Sequence, residues 1–229
     1  MAVPNRWIGN LMRFIVPKAE FVGNKAKMPI TVVGVTSNPS GTANLHFGRK
    51  YSMNIWLQGK TGKLVLNRAI KEVFRVPRKG LAILANADSM IWQMDKGPTV
   101  TLGLITINLD AAYRERNRYE TQKLFRAHIL QTILHEVGHL AMDTNNEIAP
   151  AVFAYASSDY FPGYSRMIKG FSQRNILEAA DGELAYPKFK TLRPNSRIYN
   201  FGSLMKQRVQ NQRSFMRQIQ REKEITFKG

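Results

Sequence analysis

The sequence predicts an α+β domain on three observations. Strand-like runs dominate the first half, one long apolar helix follows near residue 130, and loops with a last helix close the chain. Met1 to Phe21 is interrupted by Pro4, Arg6, Asn10, Arg13 and Pro17, and its longest apolar stretch, Phe14-Ile15-Val16, is too short for a signal-peptide core. Ile30 to Thr36 is a β-rich run that Ser37-Asn38-Pro39-Ser40-Gly41 ends. Ser52 to Gln58 alternates as a strand does, and Gly59-Lys60-Thr61-Gly62 turns it towards Leu64-Val65-Leu66 as a hairpin. Asn67 to Arg75 has helical spacing and stops before Pro77; Leu81 to Ala85 and Thr99 to Leu109 read as further strands. Arg114 to Met142 is mostly helix, with Thr121 placed as an N-cap. Pro150, Pro162-Gly163 and Asp181-Gly182 punctuate a loop-rich stretch, broken by a helix at Ser172 to Ala180. Ser203 to Glu224 is a last helix, with Met205, Val209, Gln212, Met216 and Ile219 on one stripe among six cations. That stripe suits packing on its own domain or on a partner helix, hence an oligomer; its cations suit a membrane surface or an anionic polymer.

A chain of 229 residues is one domain, or one domain with an appendage, and long enough to bury a core without staples. It contains no Cys, which excludes disulfides and thiolate metal sites. No stretch is long and apolar enough for a signal-peptide core or a membrane span, so a cytoplasmic or virion-associated protein is expected. The net charge of +18 is unevenly placed. Residues 1–80 carry 14 Lys/Arg against 2 Asp/Glu, residues 81–186 carry 9 against 12, and residues 187–229 carry 11 against 2. Basic flanks thus enclose a slightly acidic centre, and they favour an anionic partner such as nucleic acid or an acidic protein.

The acidic centre holds His135-Glu136-Val137-Gly138-His139 inside an apolar run without Pro. Residues four apart share one face of a helix, about 6 Å apart along its axis, so both imidazoles can reach one ion. Glu136 then stands beside that ion as a general base rather than a ligand, the arrangement of a zinc hydrolase. A catalytic zinc needs a third protein donor. Asp143, Glu147 and Asp159 are candidate carboxylates, with Glu178 and Glu183 as remote ones. His128 lies about 10 Å along the helix from His135, too far to share the ion.

The run from His135 through His139 to Met142-Asp143-Thr144-Asn145 resembles the metzincin metalloproteases, and within them the matrixins. Their pattern continues HExxHxxGxxH and then turns back beneath the metal through a Met-containing turn. Here Met142 stands at the family's Gly and Asn145 at its third His; Ala151-Val152-Phe153-Ala154-Tyr155 falls at the Met-turn spacing, with Phe153 for Met. Leu104 to Asn108 resembles the strand before the active-site helix, and Phe171 to Ile176 the start of the C-terminal helix. Asp159, twenty residues past His139, falls close to the spacing at which thermolysin-like proteases place their Glu ligand.

The resemblance covers residues 62–187 and implies a mixed sheet packed on a central active-site helix. It leaves 1–61 as a basic N-terminal region with strands and 188–229 as a basic segment with an amphipathic helix. It implies Zn2+ held by His135, His139 and a third donor, peptide-bond hydrolysis with Glu136 as base, and Tyr155 as the oxyanion donor, with Tyr160 and Tyr164 as alternatives. A polypeptide substrate would pair with an exposed sheet edge at Leu81 to Ala85. The second reading is a non-catalytic, virion-type structural protein on a decayed metzincin-like scaffold, its basic flanks touching nucleic acid or an acidic partner.

Overall fold

Two of the expected strands form the middle of the sheet. In the computed structural model, which describes residues 2–75, 82–93, 99–143 and 147–184, the strands are β1 (Ile30–Ser37), β2 (Ala43–Phe47), β3 (Ala85–Gln93) and β4 (Thr99–Asn108). They lie in the order β2-β1-β4-β3. The central pair β1/β4 is parallel, while β2 on β1 and β3 on β4 are antiparallel. The chain is therefore α+β with a mixed sheet. Alternation sends Val32, Ile105 and Ile107 to one face, and Val33, Val35 and Leu104 to the other.

The helices are α1 (Asn5–Lys25), α2 (Lys50–Met53), α3 (Lys60–Phe74), α4 (Leu109–Glu115), α5 (Gln122–Met142), α6 (Ile148–Ser157) and α7 (Ser165–Leu184). The first face carries α1, α5, α6 and α7; the second carries α3 and a π-helical turn at Asn54–Gln58. Helix α5 is buried nearly all round, from Phe125 to Leu140, and so shows no polar stripe. The boundary drawn at 61/62 falls inside α3, and β1 from the first segment pairs with β4 from the second.

Several expected elements are corrected. Ser52 to Gln58 is helical, not a strand: Ser52 and Trp56, four apart, are its buried residues, whereas a strand would bury alternate ones. The hairpin at Gly59–Leu66 is instead the first turns of α3. Gly62 is there for close approach, since a Cβ on it would lie 2.5 Å from the Ile55 carbonyl. The strand placed at Leu81–Ala85 begins only at Ala85 and runs on to Gln93. The interrupted N-terminus is the 21-residue helix α1, with Pro17 inside it. Its stripe of Ile8, Leu11, Met12, Ile15, Ala19 and Val22 buries enough apolar surface to outweigh the roughly 3 kcal/mol that an interior Pro costs.

The loop-rich stretch contains α6, and the helix at Ser172–Ala180 starts earlier, at Ser165. Pro150 sits in the first turn of α6, where its missing N–H has no intrahelical acceptor to lose. The C-terminal helix expected at Ser203–Glu224 lies outside the described residues. No described helix is long and apolar enough to cross a membrane.

Candidate metal centre

Thr121 caps α5 as expected, its Oγ accepting the Leu124 N–H at 3.1 Å. The cap fixes where the helix starts. His135 and His139 follow on one face near its far end, with ring centroids 4.8 Å apart. The helix ends at Asp143, whose left-handed backbone (φ 46°, ψ 54°) turns the chain. The turn thus falls one residue past Met142, on a side-chain type that tolerates the left-handed region better than most.

From that turn the chain returns as α6 packed on α5. Gly138 permits the contact: a Cβ there would lie 2.7 Å from Pro150 Cα and 3.1 Å from Phe153 Cβ. The close packing brings Glu147, the residue just before α6, over the two imidazoles. Its Oε2 stands 2.9 Å from His135 Nε2 and 3.7 Å from His139 Nε2. The three residues each offer one donor atom, and these atoms all lie within 4.8 Å of one another.

Bonds of about 2.05 Å in a tetrahedron put donor atoms about 3.4 Å apart, within the range seen here. Two imidazoles and a carboxylate are also the hard and borderline donors that a divalent ion takes. The cluster fits a metal ion. In the metal-free chain, His135 and His139 hold the Glu147 carboxyl well below the ordinary carboxylate range, through hydrogen bonds and charge.

Glu136 lies beside the cluster without joining it. Burial pushes its carboxyl above the ordinary range, against the opposing pull of the two imidazoles and of a hydrogen bond donated by the Ala87 N–H. That bond ties the helix to β3, an edge strand of the sheet among the described residues. Leu84 gives its carbonyl to Asn108 of β4, so by alternation Ala85, Ala87, Ser89 and Ile91 turn their backbone groups outward. Glu136, His139, Glu147 and the β3 residues Ala85–Ser89 and Ile91 line a cleft of about 890 Å3. Two outward donors are covered: the Ala87 N–H by Glu136, and the Ser89 N–H by Asp88 Oδ1 at 2.9 Å, with Arg68 of α3 paired to the same Asp88 carboxylate. Such covering blunts an edge against non-specific pairing.

The remaining site candidates fall elsewhere. Asp143 lines the cleft, but no atom of it joins the donor cluster. Asp159 is taken by Lys169 at 2.5 Å and accepts from Ser165 Oγ at 3.2 Å. Tyr155 lies in α6, where a Met-containing turn was expected, and does not line the cleft; its ring lies 5.3 Å from Lys169 Nζ. Asn145 lies outside the described residues. Glu147, one of the alternative donors, is the third member of the cluster; an acidic residue just before an apolar run is the helix-start signal that α6 leaves in the sequence.

The other two histidines are structural. His46 of β2 contacts Thr36 Oγ1 at 3.2 Å, and burial lowers its pKa. His128 stacks on Tyr119 (5.1 Å) and meets Phe171 edge-on (5.2 Å), with its Nδ1 buried and unpartnered. Burial and the nearby Arg174 lower its pKa to about 4. A base with a folded pKa below its unfolded value binds its proton first in the unfolded chain. Its contribution is therefore intact above about pH 6.5 and is lost as pH falls towards 4, by about 3 kcal/mol in all. Urea titrations at pH 7 and pH 4.5 are expected to show a larger stability loss for the wild type than for His128→Phe; equal losses would refute this. Compared with protein-family models, curated proteins and solved structures, the chain matches none.

Proposed function

We propose that the chain is a zinc-dependent peptide hydrolase. The observation that carries the reading is the convergence of His135, His139 and Glu147 beside Glu136, with His139, Glu147 and Glu136 lining one cleft along the β3 edge. A His2Glu donor set with a separate carboxylate is the composition of one class of catalytic zinc sites. It differs from the three-His set that the metzincin resemblance implies. Zinc held there supplies Lewis-acid chemistry, polarising a carbonyl and acidifying water.

The protein's own groups do the rest. The edge of β3 offers an extended peptide the outward backbone groups of Ala85 and Ile91, on either side of Ala87, whose N–H Glu136 holds. Glu136, whose carboxyl burial raises above the ordinary range, takes the proton from the attacking water and passes it to the departing amine nitrogen. The water oxygen joins the carbonyl carbon, and the C–N bond breaks. The cleft carries Asp88, Asp143 and Glu147 and no Lys or Arg among its lining residues. An anionic substrate segment is disfavoured there.

Glu136→Gln keeps the shape and removes the base. Hydrolysis of an unfolded protein substrate is expected to fall at least 100-fold, with zinc content unchanged. Undiminished hydrolysis in this variant would sink the assignment.

A further inference from the structure

On the helical side of the sheet, away from the cleft, two cations converge without a carboxylate. Lys18 Nζ of α1 lies 4.1 Å from the centre of the Phe14 ring, and the Arg126 guanidinium of α5 lies 5.2 Å from the same centre. Both side chains and the ring are half-buried. Tyr164 backs the ring edge-on at 5.3 Å and fixes it. Lys18 also donates to the Phe14 carbonyl at 2.9 Å, which holds the ammonium in place. No ion pair of either cation with a carboxylate occurs among the described residues.

The ring face attracts each cation, but the two repel each other. Burial, and secondarily Arg126, lower the pKa of Lys18. An anion seated between them would relieve that repulsion and accept from both. The seat is separate from the metal centre: Arg126 precedes His135 by nine residues, about 13 Å along α5.

We propose that Lys18 and Arg126 form a seat for a phosphate of a nucleic-acid backbone. A guanidinium beside an ammonium is a common phosphate-recognising pair. The polymer, rather than a lone anion, is favoured by charge placement. The excess of 14 Lys/Arg over 2 Asp/Glu in residues 1–80 recurs as 11 over 2 in residues 187–229, a distribution suited to an evenly charged chain.

The test uses the full chain and a mixed-sequence duplex of about 25 base pairs, read by fluorescence anisotropy between about 50 and 200 mM salt. Lys18→Gln/Arg126→Gln is expected to bind about ten-fold more weakly at the lower salt. Its slope of log affinity against log salt should be shallower by about 0.9, the contribution of one phosphate contact. Lys60→Gln/Lys63→Gln, which removes two exposed cations from α3 on the other face of the sheet, should change both quantities by less than half as much. Lys18→Arg/Arg126→Lys keeps the charges and should bind as the wild type, which separates loss of the seat from loss of the fold. Equal weakening in the two Gln doubles, or none in the first, would overturn the seat. Displacement of the duplex by polyglutamate as readily as by unlabelled duplex would overturn the nucleic-acid assignment in favour of an acidic protein.

Discussion

Glu147→Ala is expected to weaken zinc binding by roughly 100-fold or more, and to abolish hydrolysis with it. Changes to groups that merely support zinc ligands cost 10- to 100-fold in affinity, so removing a direct donor sets that range as a floor. Two imidazoles alone fall short of the three protein donors that a catalytic zinc needs. The fold should tolerate the change. The Glu147 side chain is 64% exposed, and its pairing with His135 is the kind of solvent-facing contact worth no more than about 1 kcal/mol. Glu147→Asp retains the charge but loses one methylene of reach, and should bind with intermediate affinity. Asp143→Asn and Asp159→Asn should bind as the wild type, because neither carboxylate is among the converging donors. Competition with a zinc-responsive chelator ranks all four. Near-wild-type affinity in Glu147→Ala, or a large loss in Asp159→Asn, would mean that another residue completes the site.

The second large effect is expected at Gly138. In a helix interior Ala is favoured over Gly by about 1 kcal/mol, so on propensity alone Gly138→Ala should stabilise. The contacts say the reverse. The added Cβ would meet the backbone of Pro150 at 2.7 Å, and backbone cannot rotate aside as a side-chain end can. Overpacking of this kind costs about 1–3 kcal/mol, so a net loss of up to about 2 kcal/mol is expected. Function should suffer more than stability. Pro150 is three residues past Glu147, and pushing α6 outward moves that carboxylate off the imidazoles. A zinc affinity at least ten-fold weaker is expected, with Gly138→Val worse on both counts. A Gly138→Ala protein that unfolds at higher urea and binds zinc as well as the wild type would show that α6 does not press on α5 at this point.

These two positions mark where the sequence stops being legible. The helix α5, its Thr121 cap and the pair His135/His139 are all local: an apolar run, a capping hydroxyl and a spacing of four. The strands β1 and β4 are equally local, as apolar runs ended by turn residues or followed by a capping Asn. The third donor is not local. It depends on the turn at Asp143 and on how closely α6 can lie against Gly138, neither of which leaves a periodic trace. Helix α6 is itself hard to see, because Pro150 reads as a breaker and Ala151 to Ala154 are buried on every side. In α1 the opposite error operates. The stripe from Ile8 to Val22 has full helical spacing, but Pro17 and the scattered polar residues mask it. The same holds for α3, where Gly59 and Gly62 carry a turn signature while Gly62 serves close packing against Ile55 and Trp56. Punctuating residues misled wherever tertiary contact, not chain direction, was the reason for them.

The first measurement is the metal content of purified, chelator-rinsed wild-type protein by mass spectrometry, with His139→Ala beside it. About one zinc per chain in the wild type and none in the variant is the expected result. No metal in either sample, after incubation with stoichiometric zinc, would contradict the metal centre and leave His135, His139 and Glu147 as a hydrogen-bonded cluster without catalytic chemistry.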